Sequence, residues 1–408
     1  MHIRRKPDLT GLYGLKHFSK GMDFMLLING YIHPVDAPDI PNGFVAFADG
    51  KITAVGAMAE LPDTQEDCVD LQGAHVCPGL IDAHCHLGLF GSGLGFEADD
   101  GNESTDPVTP HLRALDAVNP LDQYFAEARA AGVTTVLTCP GSANPISGQG
   151  LVLKTAGRWV DEMVVLAPAC MKFALGENPK TVYNDRKEGP VTRMATAALI
   201  RENLSKAAEY RAKKLAAESE PDDEGPEYDA KLEALLPVLS GDLPAHFHAH
   251  RADDIATALR ISKEFGLKPV IVHATEGHRI SELLEREKVP AITGPCLTDR
   301  SKPELNYMTL ENTAVLAAKT ATAVCTDHPE TPIQYLPLCA AMAVRGGMSE
   351  GDALAAITLT AAEILGIADR VGSITPGKDA DLAVFEQHPF DWRNRGPRQV
   401  YLNGEAVI

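Results

Sequence analysis

The sequence predicts an α/β protein with a (β/α)8 TIM barrel and a small composite β-sandwich domain built from the N- and C-terminal segments. Three observations predict this architecture. The chain has 408 residues, which is too long for one small core and suggests a large domain with a smaller one. Its middle alternates short apolar or β-branched runs with helical patterns. Both of its ends carry short strands followed by tight Asn-Gly or Asp-Gly turns.

The composition is that of an ordinary globular protein, with 45% hydrophobic and 23% charged residues. The net charge of -19 argues against a general affinity for nucleic acid or anionic membranes. No uncharged apolar run is long enough for a transmembrane helix. The eight cysteines are scattered without a Cys-x-x-Cys pair, which predicts a reducing, cytoplasmic location. The expected partners are a small-molecule substrate and further copies of the chain in a homo-oligomer.

The short strands at the two chain ends predict one domain. Strands at residues 25–28 and 44–47 precede turns at Asn29-Gly30 and Asp49-Gly50, and a strand at 399–402 precedes Asn403-Gly404. We therefore divide the chain into three parts. These are a leader expected to be mobile, a composite β-sandwich domain in two segments, and a metal-dependent hydrolase barrel, at residues 1–24, 25–77 with 372–408, and 78–371.

Eight runs between these ends are predicted as the barrel strands. In chain order they are residues 77–86, 133–137, 150–153, 168–174, 245–250, 270–273, 291–294 and 323–326. A helical stretch at 194–218 and an acidic Pro/Gly piece at 220–226, predicted as a mobile loop, form a larger excursion between strands four and five. The active site of such a barrel lies at the carboxyl ends of its strands.

Those strand ends carry the residue types that bind divalent metals. Strand side chains alternate between faces, so His84 and His86 point the same way at the end of strand one. Strands six and eight end at His273 and Asp327. Strand five offers three histidines on one face, at 246, 248 and 250, and strand four carries Lys172 between apolar neighbours. Imidazoles and a carboxylate converging on one mouth predict a metal site.

Three runs carry a family resemblance: PGLIDAHCH at 78–86, GVTTV at 132–136 and GSITPGKDADL at 372–382. They resemble the metal-dependent hydrolases of the amidohydrolase superfamily, in the branch of imidazolonepropionase and the Xaa-Pro dipeptidases. The resemblance implies one or two divalent ions, zinc first, with Mn2+ or Fe2+ as alternatives. It implies His84 and His86 as ligands of the more buried ion, and Asp327 as both a ligand of that ion and the acid/base.

The second ion would be held by His248 and His273, with Lys172 carboxylated and bridging the two ions. Imidazolonepropionase itself is a one-metal member without that lysine, so Lys172 favours the binuclear members. Strand five leaves an alternative open, because a shift of one dipeptide in register would make His250 the ligand in place of His248. The spare histidines would then fill the core or form hydrogen bonds with the ligands.

Substrate contacts are expected from the loops after the strands. The candidates are Asn144, Asn178, Arg186, Arg193, His250, Arg251 and His328.

The predicted reaction is hydrolysis of a carbon–nitrogen bond in an amide, cyclic amide or dipeptide, by a metal-activated hydroxide with Asp327 as acid/base. Two alternatives stand beside it. One is deamination at the same site. The other is a catalytically silent scaffold of the dihydropyrimidinase-like kind, which predicts eroded ligands, whereas none is missing here.

Overall fold

The computed structural model describes residues 24–62, 68–91, 95–218 and 224–408. The predicted leader lies outside these residues except for Phe24, which begins the first strand. Most of the predicted acidic loop, residues 220–223, also lies outside them.

The described residues form two sheets and the helices that cover them. The strands are β1 Phe24–Ile32, β2 Ile40–Ala48, β3 Lys51–Ala57, β4 Val69–Asp70, β5 His75–Pro78, β6 Leu80–Cys85, β7 Val133–Thr138, β8 Ile146–Lys154, β9 Val164–Ala174, β10 Ala245–Ala249, β11 Pro269–His273, β12 Ala291–Thr293, β13 Thr322–Val324, β14 Leu382–Phe385, β15 Gln399–Leu402 and β16 Glu405–Ala406. The α-helices are α1 Gln123–Ala130, α2 Val160–Met163, α3 Glu177–Asp185, α4 Arg193–Ala217, α5 Ala230–Ser240, α6 Ala252–Phe265, α7 Ser281–Glu287, α8 Glu311–Ala317, α9 Leu336–Arg345, α10 Glu350–Ala356 and α11 Leu359–Leu365. Short 3-10 turns cover Met58–Glu60, Phe96–Ala98, Ala114–Asp116, Gly277–Ile280, Pro303–Leu305 and Ile333–Tyr335.

Strands β6 to β13 form the barrel, in the order of the sequence. Its closing seam lies between β13 and β6. There the Asp327 N–H donates to the His84 carbonyl at 3.2 Å, and the His86 N–H donates to the His328 carbonyl at 2.9 Å. The carboxylate of Asp82 also spans the seam, because it accepts the hydroxyl of Thr326 at 2.5 Å. The predicted fold class is confirmed by this nearly closed sheet.

The alternation of parallel strands and helices is interrupted at the third strand. β8 runs antiparallel to both β7 and β9. The reason is length: only residues 139–145 separate β7 from β8, whereas a crossover between parallel strands needs about a dozen or more residues. The start of β8, and not its end, therefore lies at the mouth of the barrel.

The terminal strands form the second sheet, in the order β16-β15-β14-β5-β1-β2-β3, with β4 also paired to β1. This sheet folds over on itself, since the rings of Phe47 on β2 and Tyr401 on β15 lie 5.1 Å apart. Its interior is apolar and includes Leu27, Val76 and Leu382. The sandwich thus consists of one continuous curled sheet built from both chain ends.

The chain crosses from this sheet into the barrel at Gly79. The predicted first strand is interrupted there, because β5 ends at Pro78 and β6 begins at Leu80. A Cβ atom at position 79 would lie 2.1 Å from Oγ1 of Thr134, so only glycine fits. In the described residues, no helix is both long and apolar enough to cross a membrane.

Candidate metal centre

The histidines of the first barrel strand face the carboxylate that follows the last one. His84 lies on β6 and His86 just beyond its end, so strand alternation directs both rings into the barrel mouth. The Nε2 atoms of His84 and His86 lie 3.4 Å and 3.2 Å from Oδ1 of Asp327. All three side chains are largely withdrawn from solvent.

Hydrogen bonds at the other ring nitrogen orient the histidines. Nδ1 of His86 lies 2.7 Å from the Cys139 carbonyl, and Nδ1 of His273 lies 2.7 Å from the Gly294 carbonyl. A carbonyl can only accept, so in both rings Nδ1 carries a proton and donates it. The neutral form of each ring then presents the lone pair of Nε2 to the mouth, which is how metal-bound histidines are usually held.

Two groups of side chains bring ligand atoms within 4.8 Å of one another. One comprises His84, His273 and Asp327, and the other comprises His248, His250 and His273. His273 belongs to both groups and lies between them. The structure therefore brings together every imidazole and carboxylate that the sequence predicted as a ligand. Both His248 and His250 belong to the second group, so the register alternative does not separate them.

Unpartnered buried atoms show that these groups suit a cation. Oδ1 of Asp327 and Nε2 of His248 are buried and have no hydrogen-bond partner. An unpaired buried acceptor is costly, and several acceptors facing one another are costlier. A divalent ion between His84, His86 and Asp327 would give Oδ1 of Asp327 a partner, since imidazole nitrogen and carboxylate oxygen are zinc ligands.

The electrostatics of the group around Asp327 also favour positive charge. Burial alone would raise the Asp327 pKa, but the rings of His273, His84 and His86 hold this pKa well below its usual value. Burial alone would lower the pKa of His86, yet its contacts with Asp327 and Cys139 raise that pKa to about 10. Protons and metal ions compete for the same ring nitrogen, so this position attracts either.

Two of these residues have a strained backbone. His273 and Asp327 have φ angles of 73° and 54°, in the left-handed region that residues other than glycine rarely adopt. Such strain is characteristic of functional sites, where the surrounding structure enforces it. Here it turns both side chains into the mouth at the point where their strands end.

Lys172 lies at the same centre, on β9. It is fully buried, and its Nζ lies 3.1 Å from Nε2 of His84 and 3.9 Å from Sγ of Cys139. Burial alone would raise the pKa of the Cys139 thiol, but Lys172 and His84 bring that pKa well below its usual value. Lys172 thus lies where the sequence places it, next to a thiol that sequence reasoning missed.

A cavity of about 400 Å³ opens above the two groups. Asp327 and the strand-five residues His248 and His250 line its floor, and Asn178 and Lys302 line its wall. Nζ of Lys302 donates to the side-chain oxygen of Asn178 at 2.8 Å. Two of the predicted substrate contacts, Asn178 and His250, therefore face this cavity.

The other predicted substrate contacts have partners elsewhere and do not line the cavity. Asn144 is buried and accepts the Tyr183 hydroxyl at 2.6 Å. His328 is buried, and its Nδ1 accepts the backbone N–H of Ile333 at 3.2 Å. Three arginines form ion pairs with nearby carboxylates, in the pairs Arg186–Glu188, Arg193–Asp254 and Arg251–Asp253.

Sequence reasoning missed four further residues of the centre. Asp82 has the same two-residue spacing as His84 and His86, which was the available signal, and burial raises its pKa to about 7. Ser142 contacts Nδ1 of His248 at 2.9 Å from the loop after β7. Cys139 lies in that loop too, and Glu304 follows β12, but neither belongs to a spacing pattern that would have indicated it.

A sequence profile of the Amidohydrolase family matches residues 75–407. The chain belongs to this family. The predicted resemblance and the prediction of a hydrolytic enzyme are thereby confirmed.

Relatives of this amidohydrolase include the amidohydrolase tasK of Hapsidospora irregularis, 30% identical over 393 residues. The match covers 89% of this chain but only 40% of tasK, so the chain spans less than half the length of that relative. An imidazolonepropionase of Maricaulis maris (strain MCS10) is 26% identical over 88% of this chain and 91% of its own length. The crystal structure of an amidohydrolase from Thermotoga maritima MSB8 has a TM-score of 0.90 and 45% identity, covering 94% of this chain and 99% of that one.

Proposed function

We propose that this amidohydrolase hydrolyses a carbon–nitrogen bond in a small amide, cyclic amide or dipeptide, using a divalent ion held by His84, His86 and Asp327. The observation that carries the proposal is the buried Oδ1 of Asp327, which faces two imidazole nitrogens and has no hydrogen-bond partner. A cation at this position would pair with this carboxylate oxygen and take the two ring nitrogens as ligands.

The division of roles follows from the positions of the side chains. A divalent ion held by these residues would acidify a water molecule and polarise the scissile carbonyl. Asp327 lies on the cavity floor, where its carboxylate can take a proton from the attacking water and deliver it to the leaving nitrogen. Its low pKa keeps the carboxylate ionised near neutral pH, which is the form that binds a cation. His84 and His86 would hold the ion through their Nε2 atoms.

The types of ligand atom limit the choice of metal ion, and the size of the cavity limits the choice of substrate. Imidazole nitrogens with a carboxylate suit zinc first, with manganese or iron as alternatives. A cavity of about 400 Å³ admits a small molecule, and Asn178 and Lys302 offer polar contacts on its wall. The imidazolonepropionase relatives support a cyclic amide as one substrate class.

We also propose a cytoplasmic location and a homo-oligomer. The free state of all eight cysteines supports the first, because a reducing compartment preserves free thiols. The exposed Trp392, which lines one groove together with Tyr335 and Phe390, supports the second. Light scattering of the purified protein tests the oligomer.

The test of the function is a substrate screen with zinc- and manganese-loaded protein. N-acyl amino acids, dipeptides and cyclic amides form the main panel, and aminopurines and aminopyrimidines form the deamination panel. We expect turnover in the main panel that is lost on chelation and in His84→Asn. Turnover confined to the deamination panel would replace the proposal with that alternative.

A further inference from the structure

Cys139 contacts three successive residues at the end of the first barrel strand. Its backbone N–H donates to the Cys85 carbonyl at 3.2 Å, and its own carbonyl accepts the Nδ1 proton of His86 at 2.7 Å. Its Sγ lies 3.5 Å from Nδ1 of His84. The two backbone contacts fix the position of the Cys139 Cβ, so the thiol is held against the His84 ring.

Packing confines this thiol and excludes solvent from it. Cys139, His84 and Lys172 are each 0% exposed. Gly150 on β8 packs against Cys139, since a Cβ at position 150 would lie 2.7 Å from the Cys139 Cβ. In the part of the chain that the structure describes, the Cys139 sulfur is therefore the hydrogen-bonding group that Nδ1 of His84 meets.

The contacts of the other ring nitrogen decide the direction of this hydrogen bond. Nε2 of His84 lies 3.1 Å from Nζ of Lys172 and 3.4 Å from Oδ1 of Asp327. A lysine ammonium can only donate, so Nε2 accepts and Nδ1 carries the ring proton. A metal ion on Nε2 requires the same tautomer, because coordination uses the Nε2 lone pair. In both states Nδ1 of His84 donates and Sγ of Cys139 accepts.

We propose that Cys139 is a positioning residue for the metal ion of the proposed function. Its sulfur would hold His84 and its carbonyl holds His86, so that both Nε2 atoms face Asp327. The outer partner of a metal-bound histidine is usually a carboxylate, a carbonyl or water, and here sulfur takes that place for one ring. Only the His84 contact depends on the side chain, because the His86 contact is made by the backbone. The inference rests on the proposed metal-dependent function.

Zinc affinity is the direct test, measured by competition with a chromophoric chelator. Cys139→Ala should weaken zinc binding about 10- to 100-fold, because the His84 ring loses its outer partner. Cys139→Ser keeps an acceptor at this position and should recover most of the affinity. Cys170→Ala is the matched control, since it removes a second buried thiol that packs against the same Gly150. This control should bind zinc as tightly as wild-type protein.

Proton NMR of the zinc-loaded protein provides a readout that a loss of packing alone would not change. The buried Nδ1 proton of His84 should give a slowly exchanging resonance, assigned by its absence in His84→Asn. This resonance should persist in Cys170→Ala and shift or disappear in Cys139→Ala. Circular dichroism establishes that each variant is folded.

The outcomes separate this inference from the proposed function. Wild-type zinc affinity and an unchanged His84 resonance in Cys139→Ala overturn the positioning role and leave the proposed function intact. An equal loss of zinc affinity in Cys170→Ala makes the effect one of packing and also overturns the positioning role. Wild-type protein that binds no zinc overturns both.

Discussion

Asp327 combines a strained backbone with a carboxylate aimed at two imidazoles, so its substitution should separate metal binding from proton transfer. Asparagine preserves the shape and one oxygen ligand but cannot accept a proton at neutral pH. We expect Asp327→Asn to fold, keep most of its metal and lose about 100- to 10,000-fold in kcat, with a modest change in KM. Metal analysis and steady-state kinetics on the substrate found by screening provide the measurements.

The control for this substitution is His84→Asn, in which metal and activity should fall together because an ion ligand is lost. Near-normal kcat in a fully loaded Asp327→Asn enzyme would contradict the assigned role. His250, on the cavity floor, would then be the residue to test for proton transfer.

Lys172 is buried beside His84, and its proposed carboxylation can be tested directly. If its amine is carboxylated, the carbamate supplies an anion where Nζ now lies 3.1 Å from Nε2 of His84. Lys172→Ala should then lose metal and activity together, and added acetate or propionate should restore part of both. Carbon-13 NMR after incubation with labelled bicarbonate should show the carbamate in wild-type protein and not in the variant. Full activity in Lys172→Ala would remove the lysine from the mechanism.

Ion pairs connect the end of the barrel strand β8 to the segment that leads into the terminal sheet. Lys154 is buried there and pairs with Asp379 at 3.1 Å and with Asp381. Asp379 also pairs with Lys51 and Arg370, whereas Lys154 is the sole cation paired with Asp381 among the described residues. Lys154→Met should lower the free energy of unfolding by about 3–5 kcal/mol, because it leaves a buried carboxylate unpaired.

Urea denaturation of Lys154→Met measures this loss. Lys51→Met provides the comparison, since its ammonium is half-exposed and should contribute about 1 kcal/mol or less. The double variant Lys154→Met with Asp381→Asn should recover part of the stability, because no unpaired charge remains at position 381. Equal losses of unfolding free energy in Lys154→Met and Lys51→Met would show that the buried ion pair of Lys154 contributes no more to stability than the half-exposed pair of Lys51.

The whole molecule should respond to pH through its buried histidines. Burial lowers the pKa of His75 to about 4, of His246 to about 3 and of His328 to about 4. In the unfolded chain these groups take up protons at about pH 6.5, so the unfolded state binds more protons below that value. Their contribution to stability is therefore complete above about pH 6.5 and decreases as the pH falls toward 4.

The contribution of His86 to stability has the opposite pH dependence. Its pKa is raised to about 10, so its contribution is complete below about pH 6.5 and is lost as the pH rises through 10. Metal-free protein should consequently be most stable near neutral pH. Urea midpoints between pH 4 and 10 test this, and His75→Gln should weaken the acid-side decrease alone. If stability falls by the same amount at low pH in this variant as in wild-type protein, the decrease belongs to the other histidines.

Features that depend on residues close together in the chain were predictable from the sequence, and features that depend on distant residues were not. His84 and His86 were predictable because a period of two residues within one strand places them on the same face. Glu304 was not, since 54 residues separate it from His250 and only tertiary packing brings the two together. The direction of β8 was missed because it depends on the short connection at 139–145, which the apolar pattern of the strand does not encode.

The antiparallel β8 also bears on how such a protein can change its specificity. The hairpin of β7 and β8 leaves and re-enters the barrel at its mouth, and its tip carries Cys139, Ser142 and Asn144. Its own ladder fixes its register, so no helix has to be repositioned when the tip changes in length or composition. Residues 139–145 can therefore vary in side chain without displacing a helix, as long as the Cys139 carbonyl, the Cys139 thiol and the Ser142 hydroxyl keep their contacts with His86, His84 and His248.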